Sequence, residues 1–226
     1  MHVDWFPLIN SLRIAAVTAA VVFLLGIWFA SWTVRLPRAA KAVADVVLTL
    51  PLVLPPTVVG FLLLMALGPR RPIGAWALEA FGMRLTMVWY AAVFASVIVA
   101  FPLMYRTARG AFESFDEDLA DAARTLGKSE VWIFWNVKLP TCRSSLIAGA
   151  VLAFARALGE YGATSMVAGY TPGVTATVST TVYQLWQIGN DELALRWVLV
   201  NIAISAAALF VLNWLEGRDR ERGRAR

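Results

Sequence analysis

Long apolar runs constrain the fold of this sequence more than any other feature. Runs such as 15–30 and 198–215 contain no charged residue. With their flanking residues they reach the length of about 20 residues that an α-helix needs to cross the hydrocarbon core of a bilayer. They do not alternate between apolar and polar residues, which excludes the strands of a membrane β-barrel. The sequence therefore predicts an all-α, polytopic membrane protein that forms a helical bundle.

The composition agrees with a membrane protein. Of the 226 residues, 59% are hydrophobic and 15% are charged, whereas soluble domains have about 45–50% and about 25%. The single cysteine, Cys142, excludes an internal disulfide, and the single histidine, His2, leaves no His/Cys cluster for a metal ion. We therefore expect this chain to bind no metal and no cofactor.

Five membrane spans are predicted from the pattern of apolar residues. The first is longer than the apolar region of a signal peptide, and Asp4 lies in the segment before it, so we expect a permanent span. An odd number of spans places the two termini on opposite sides of the membrane. The predicted bounds are Leu12–Val34, Val46–Leu67, Met87–Met104, Ser145–Thr164 and Leu193–Leu215.

The basic residues indicate how the spans are oriented. Fourteen of the 20 Lys and Arg residues lie in the first connection, in segment 106–144 or after Glu216, and only three lie on the opposite side. Basic residues are enriched in cytoplasmic loops. We therefore expect a periplasmic N-terminus and a cytoplasmic C-terminus. Because these flanks also account for the formal charge of +5, no nucleic-acid partner is predicted.

Two further parts of the chain follow from composition. We divide the chain into a transmembrane domain, 1–217, and a basic cytoplasmic tail, 218–226, which is too polar to fold alone and is expected to be frayed. The outer segment 161–192 contains a turn at 170–173 and then a helix-like stretch, 174–188. Whether this stretch enters the bilayer is left open by the sequence.

The cytoplasmic segment 106–144 predicts two short helices joined by a turn. Asp116 can cap the first helix, and Gly127 suits the position just after its end. Ser129 can cap a second helix over 130–138. A loop with two capped helices is more organised than a simple connection requires.

The second of these helices carries an apolar surface. Trp132 and Trp135 are among its residues, and such a surface is larger than a solvated loop should expose. Leu139 and Pro140 should stop the helix, because proline removes a backbone donor and clashes with the preceding turn. The combination indicates an element that docks onto another protein.

The same segment matches a family motif. It reads Asp121-Ala122-Ala123, three residues, Gly127, nine residues, and then Val137-Lys138-Leu139-Pro140. This resembles the EAA loop of binding-protein-dependent ABC importers, with Asp for the usual Glu and Val for the usual Ile. In that family the loop forms coupling helices that bind in a groove of a cytoplasmic ATPase. An ordinary amphipathic loop is the alternative. The resemblance implies ATPase coupling by Asp121, Ala122, Ala123, Gly127, Trp132, Trp135, Leu139 and Pro140.

Gly127-Lys128-Ser129 also imitates the end of a Walker A phosphate loop. The glycine required five residues earlier is replaced by Ala122, and the segment follows a helix rather than a strand. We therefore expect that this chain is not an enzyme. ATP and Mg would be bound by the partner ATPase.

Prolines and a charge pair mark two of the spans. Pro51, Pro55 and Pro56 should bend or break the second span. The carbonyls that lose their partners favour a wet or protein-lined position, so the bend lies on a translocation pathway or only shapes helix packing.

Arg156 and Glu160 are spaced four apart in the fourth span and can form an ion pair. That pair either stabilises the bundle or lines a pathway in which Arg156 attracts an anion.

A second resemblance points to a narrower family, although its motif is less specific than the EAA loop. Residues 153–164, together with 50–57, resemble the molybdate-type permeases within the ABC importers. The likeness covers about 10–222 and implies a homodimer of permeases in the bacterial plasma (inner) membrane. It also implies two copies of a cytoplasmic ABC ATPase and a periplasmic oxyanion-binding protein that delivers molybdate or tungstate. Sulfate-type permeases share much of this pattern and remain an alternative.

Two other classes of protein fit the sequence less well. An ion-coupled secondary transporter should show internal repeats and intramembrane acids, whereas Glu160 is the one clear acid within a predicted span. A membrane enzyme would need a nucleophile with a base or a metal cluster, and the single His and Cys are far apart in sequence. The sequence therefore favours an ABC importer permease.

Overall fold

The computed structural model describes the backbone of residues 4–224 and the side chains of these residues except 211–213 and 215–224. His2 and the last two residues of the predicted tail lie outside the described residues. Within this part of the chain all regular secondary structure is helical, with a single π-helical turn at Phe134–Lys138. The α-helices are α1 (Phe6–Val34), α2 (Arg38–Val53), α3 (Pro56–Leu67), α4 (Pro72–Phe81), α5 (Trp89–Glu113), α6 (Glu117–Thr125), α7 (Glu130–Ile133), α8 (Leu139–Thr141), α9 (Arg143–Leu158), α10 (Gly162–Val167), α11 (Val178–Gln187) and α12 (Asp191–Arg224).

Three helices are long and apolar enough to cross a membrane, among the residues described. They are α1, α5 and the part of α12 from Asp191 to Phe210, and they confirm the first, third and fifth predicted spans. Two bent pairs, α2 with α3 and Glu130–Thr141 with α9, bring the number of candidate spans to five if each pair is one span. The first and third spans extend beyond the predicted bounds: α1 begins at Phe6, and α5 continues to Glu113.

The second predicted span is not one straight helix. The axes of α2 and α3 differ by 107°. Leu54 and Pro55, which separate the two helices, have extended backbones. Each precedes a proline, whose ring disfavours the helical conformation of the residue before it. The break confirms the predicted effect of the prolines, and the sharp angle corrects the expectation of one continuous span over 46–67.

The fourth predicted span is also interrupted. α9 ends at Leu158, and α10 begins at Gly162 after three non-helical residues. The apolar residues continue through this interruption, so hydropathy alone does not reveal it. The predicted span 145–164 is therefore wrong as a single helix.

The centre of the bundle is formed by α1, α5 and α9, which pack through small side chains. Ala15, Ala100 and Ala153 are fully buried there. A Cβ atom on Gly26 would lie only 2.6 Å from Cγ of Met104, so α1 and α5 approach each other closely at this glycine. Small residues permit such close packing of membrane helices, where van der Waals contact drives association.

Two predictions about the ends of the bundle have different outcomes. A turn and a following helix are confirmed with shifted bounds: the turn lies at 172–175, and α11 spans Val178–Gln187 rather than 174–188, beginning at a capping box formed by Thr177 and Thr180. The predicted frayed tail is wrong for residues 218–224, because α12 continues through them. Extending an existing helix adds one hydrogen bond for each residue, and Arg and Glu are good helix formers.

The contact between α3 and α10 gives a prediction about stability. A Cβ atom on Gly60 would lie 2.8 Å from Cα of Ala163. We expect Gly60→Ala to separate the two helices and to destabilise the protein by about 1–3 kcal/mol, the usual range for overpacking. Gly110→Ala is the matched control, because its Cβ would meet no atom within 4 Å. Thermal unfolding in detergent, followed by size-exclusion chromatography, measures both; equal midpoints would contradict the prediction.

Candidate translocation and coupling sites

The two helix interruptions lie side by side. A Cβ atom on Gly162 would lie 2.9 Å from Cβ of Pro56 and 3.2 Å from the backbone nitrogen of Thr57. The beginning of α10 therefore touches the beginning of α3. Backbone groups released by a helix break at membrane depth need protein or water as partners. This helix-break junction, formed by residues 54–57 and 159–162, is the candidate translocation site.

The three prolines predicted for the translocation pathway do not share one environment. Pro55 and Pro56 lie at the helix-break junction, as described above. Pro51 lies inside α2, one turn earlier, and lines an apolar groove with Phe29 and Phe101. Pro51 is therefore part of the packing of α2 on α1 and α5.

The predicted ion pair between Arg156 and Glu160 forms. Nη1 of Arg156 lies 2.7 Å from Oε2 of Glu160. The other carboxylate oxygen, Oε1, accepts a hydrogen bond of 2.8 Å from the backbone N–H of Ala163. That N–H lies in the first turn of α10, where the backbone donors lack partners within the helix. Glu160 thus joins α9 to α10 across the interruption.

The two charges of this pair differ in accessibility. The side chain of Glu160 is 1% exposed, whereas that of Arg156 is 31% exposed. The accessible member of the pair is therefore the cation, and the anion is enclosed by protein. A guanidinium presented in this way can attract an anion, while its paired carboxylate weakens the attraction.

The predicted caps of the two short helices in segment 106–144 are confirmed. Asp116 caps α6 and Ser129 caps α7, each by accepting a backbone hydrogen bond. Gly127 has a φ of +73°, and the N–H of Lys128 donates to the carbonyl of Ala123 at 3.1 Å. This is the pattern in which a left-handed glycine ends a helix. The turn between the two helices therefore depends on the glycine.

The second short helix of segment 106–144 does not stop at Pro140, so that prediction is wrong. A π-helical turn follows α7, and α8 then continues to Thr141. The N–H of Leu139 donates to the carbonyl of Phe134, five residues earlier. Pro140 consequently lies in the first turn of α8, where a missing N–H has little cost. The chain instead bends after Thr141, by 70°, into α9.

Segment 126–135, from the end of α6 through α7, exposes several apolar side chains, which we call the coupling surface. Its exposed members are Leu126, Val131, Trp132 and Trp135, and Leu126 is the most exposed at 76%. Asp121, Ala122 and Pro140 are also exposed. Ala123 is buried and Leu139 is half-buried, because both pack against the core of the bundle. Of the eight residues predicted from the motif, these two support the surface from beneath.

Arg124, which no motif indicates, holds α6 and α7 together. Its guanidinium lies 2.5 Å from a carboxylate oxygen of Asp121 and 2.7 Å from one of Glu130. The hydrogen bonds to Glu130 and Asp121 raise the pKa of Arg124, and the hydrogen bond from Arg124 lowers the pKa of Glu130. The spacing of Asp121 and Arg124 is visible in the sequence. The pairing with Glu130 depends on the turn at Gly127.

The ion pair at the helix-break junction gives a prediction about folding. Arg156→Met should destabilise the protein by about 3–5 kcal/mol, because it leaves the buried charge of Glu160 without its counter-ion. Glu160→Met should be at least as harmful, because it also leaves the N–H of Ala163 without an acceptor. Combining Arg156→Met with Glu160→Gln should recover most of the stability, since the neutral amide can still accept from Ala163.

The measurement is the yield and thermal midpoint of each purified variant. Glu160→Gln alone is the control that retains the size of the side chain. Losses in the double variant that equal the sum of the two single losses would show that the residues act independently.

The chain is similar to known membrane transport proteins. A family model described as "Binding-protein-dependent transport system inner membrane component" matches residues 22–218. The molybdenum transport system permease protein ModB of Escherichia coli K12 is 40% identical over 220 residues, which cover 97% of this chain and 96% of that protein. ModB of Haemophilus influenzae is 38% identical over 196 residues, or 86% of each chain.

Solved structures agree on the fold. A bacterial alginate ABC transporter, crystallised with a periplasmic protein that carries an alginate pentasaccharide, has a chain that matches with a TM-score of 0.72. The match covers 92% of this chain and 76% of that chain at 17% identity, so it bears on the fold alone. The family match and the two permeases together show that the chain belongs to the family of binding-protein-dependent transport system inner membrane components.

Proposed function

We propose that this chain is the membrane-spanning permease of an ABC importer for molybdate, with tungstate as a second substrate. The observation that carries the proposal is the similarity to ModB permeases over nearly the whole chain. Membership of the transport family supports an importer of this type. The chain itself would not hydrolyse ATP and would bind no cofactor; ATP and Mg would bind to a partner ATPase.

The helix-break junction is the proposed translocation site. Molybdate is a tetrahedral dianion, and the accessible guanidinium of Arg156 would attract it electrostatically. The buried carboxylate of Glu160 would keep this attraction moderate, so that the anion could leave again. The beginning of α3, where Thr57 is exposed, adds the positive end of a helix dipole nearby.

The coupling surface is the proposed contact with the ATPase. Its aromatic and aliphatic side chains suit a groove that accepts an amphipathic helix. Burying Trp132 and Trp135 against a partner would also remove apolar area from water, which favours association. The 14 basic residues assigned to the cytoplasmic side support an orientation with this surface in the cytoplasm and the N-terminus outside.

The proposed assembly has two copies of this chain, two ATPase chains and a periplasmic oxyanion-binding protein, in the bacterial plasma (inner) membrane. Up to five spans in one chain are few for an enclosed pathway, which favours a homodimer. The mass of the complex purified with its ATPase tests the stoichiometry. A stable monomer that transports would contradict it.

The substrate is tested by reconstituting the permease and its ATPase in vesicles with ATP and the binding protein on opposite sides. We expect molybdate to stimulate ATP hydrolysis and to be taken up, with tungstate as a competitor and sulfate without effect. Sulfate uptake that molybdate does not inhibit would favour the sulfate-type alternative. Uptake that depends on an ion gradient and not on ATP would overturn the assignment to an importer driven by ATP.

The turn at Gly127 gives a prediction about coupling. Gly127→Val should redirect α7, because a left-handed conformation costs a residue with a Cβ atom about 1–2 kcal/mol, and a branched one more. A Cβ here would meet no atom within 4 Å, so the effect would come from the backbone alone. We expect normal membrane insertion and dimerisation, but weak association with the ATPase and little uptake.

Gly127→Asn is the matched control, because asparagine tolerates the left-handed conformation better than other residues with a Cβ. Co-purification of the ATPase and uptake in vesicles are measured for both variants. Association and uptake at the level of the unmodified protein in Gly127→Val would show that the turn is not the coupling point.

A further inference from the structure

α2 is joined to the rest of the molecule in an unusual way. None of its residues is fully buried, and its apolar contact with the core is made by partly buried side chains such as Leu48. The N-terminal half of α2 is held by charged side chains. Lys41 donates to the carboxylate of Glu113, and Arg109 donates to that of Asp45. We call this group, with Tyr105, the inner clasp.

The inner clasp has a regular geometry. Lys41 and Asp45 are four residues apart on α2, and they face Tyr105, Arg109 and Glu113, which follow at intervals of four on α5. Residues at this interval lie on one face of a helix. The two helices therefore lie against each other along two turns, with a cation opposite an anion at each turn.

The inner clasp also includes α1 and is partly shielded from water. The hydroxyl of Tyr105, which is fully buried, donates to Asp45 and lies 3.2 Å from the hydroxyl of Thr33 on α1. The side chains of Asp45 and Arg109 are only 26% and 24% exposed. Partly buried ion pairs are screened less than surface pairs, and removing one partner leaves a charge uncompensated. The attachment is therefore specific rather than a chance surface contact.

The inner clasp lies between the two candidate sites. On one side, Glu113 is the last residue of α5, and the core next to it contains Phe112, Phe115 and Ile133, which support the coupling helices. On the other side, α2 continues from Asp45 to the break at residues 54–55 and thus to the helix-break junction. The clasp is the polar link between α2 and the end of α5 that adjoins the coupling helices.

We infer that Asp45 is a positioning residue for transport, which makes α2 move together with the inner end of α5. A displacement of the coupling surface by the ATPase would then be transmitted along α2 to the helix-break junction. This inference rests on the proposed function, because it assumes a partner that moves the coupling surface. It adds a link between the two sites that neither motif contains.

The test is the amount of molybdate taken up per ATP hydrolysed in reconstituted vesicles. For Asp45→Asn we expect normal association with the ATPase and continued ATP hydrolysis. Uptake per ATP should fall at least about fivefold, which is the lower end of the usual range for coupling between two sites. Exchanging the charges, in Asp45→Arg with Arg109→Asp, should recover part of the ratio. A normal ratio in Asp45→Asn, with the complex intact, would overturn the inference.

A second variant covers the case in which Asp45→Asn does not fold. Lys41→Cys with Glu113→Cys, in a background of Cys142→Ala, retains the pairing of Asp45 with Arg109 and allows the clasp to be cross-linked by a thiol-reactive reagent with a reducible spacer, since the native contact joins the ends of two long side chains. Because α2 should move with α5, cross-linking should leave uptake per ATP unchanged. Loss of uptake on cross-linking, reversed by reduction, would show that the clasp must open and would overturn the inference.

The outcome is separable from that of the proposed function. If the unmodified complex hydrolyses ATP but takes up another oxyanion, the same ratio is measured with that anion, and the role of Asp45 is still tested. If the unmodified complex shows no uptake driven by ATP, the proposed function itself fails. In that case the rate of ATP hydrolysis, with and without the cross-link between Lys41→Cys and Glu113→Cys, still tests whether α2 moves together with α5. A block of hydrolysis by the cross-link would overturn the inference.

Discussion

The buried carboxylate of Glu160 bridges the gap between α9 and α10. A helix that stops inside an apolar bundle leaves donors and acceptors without partners, and the bilayer interior offers no water to replace them. Glu160 accepts from Ala163 at the start of α10 and pairs with Arg156 at the end of α9. The interruption can therefore persist, and the neighbouring break between α2 and α3 can pack against it at Gly162.

The same arrangement gives the molecule two ends with different chemistry. At the helix-break junction a partly exposed cation is backed by a buried anion. At the coupling surface, aromatic side chains are exposed on short helices that a glycine turn and Arg124 hold together. The inner clasp connects them through α2, a helix without a buried residue of its own.

Sequence reasoning was most successful where a local rule decides the structure. The caps Asp116 and Ser129, the turn at Gly127 and the pairing of Arg156 with Glu160 each depend on spacing along the chain. It failed where several elements compete. Pro140 was expected to stop a helix, but a π-helical turn precedes it and places it in the first turn of α8, where its missing N–H has little cost. The gap between α9 and α10 was missed because its residues are apolar and support a continuous span.

The sequence by itself determined the class of the protein, because apolar runs long enough to cross a bilayer leave a helical bundle as the available fold. It also determined the EAA-like loop and the prolines that break the second span. Only the tertiary structure decided that the two breaks touch, that Ala123 faces the core and that Asp45 meets Arg109. These contacts join residues far apart in the chain, and their partners are chosen by the packing of α1, α2, α5 and α9, which local spacing does not specify.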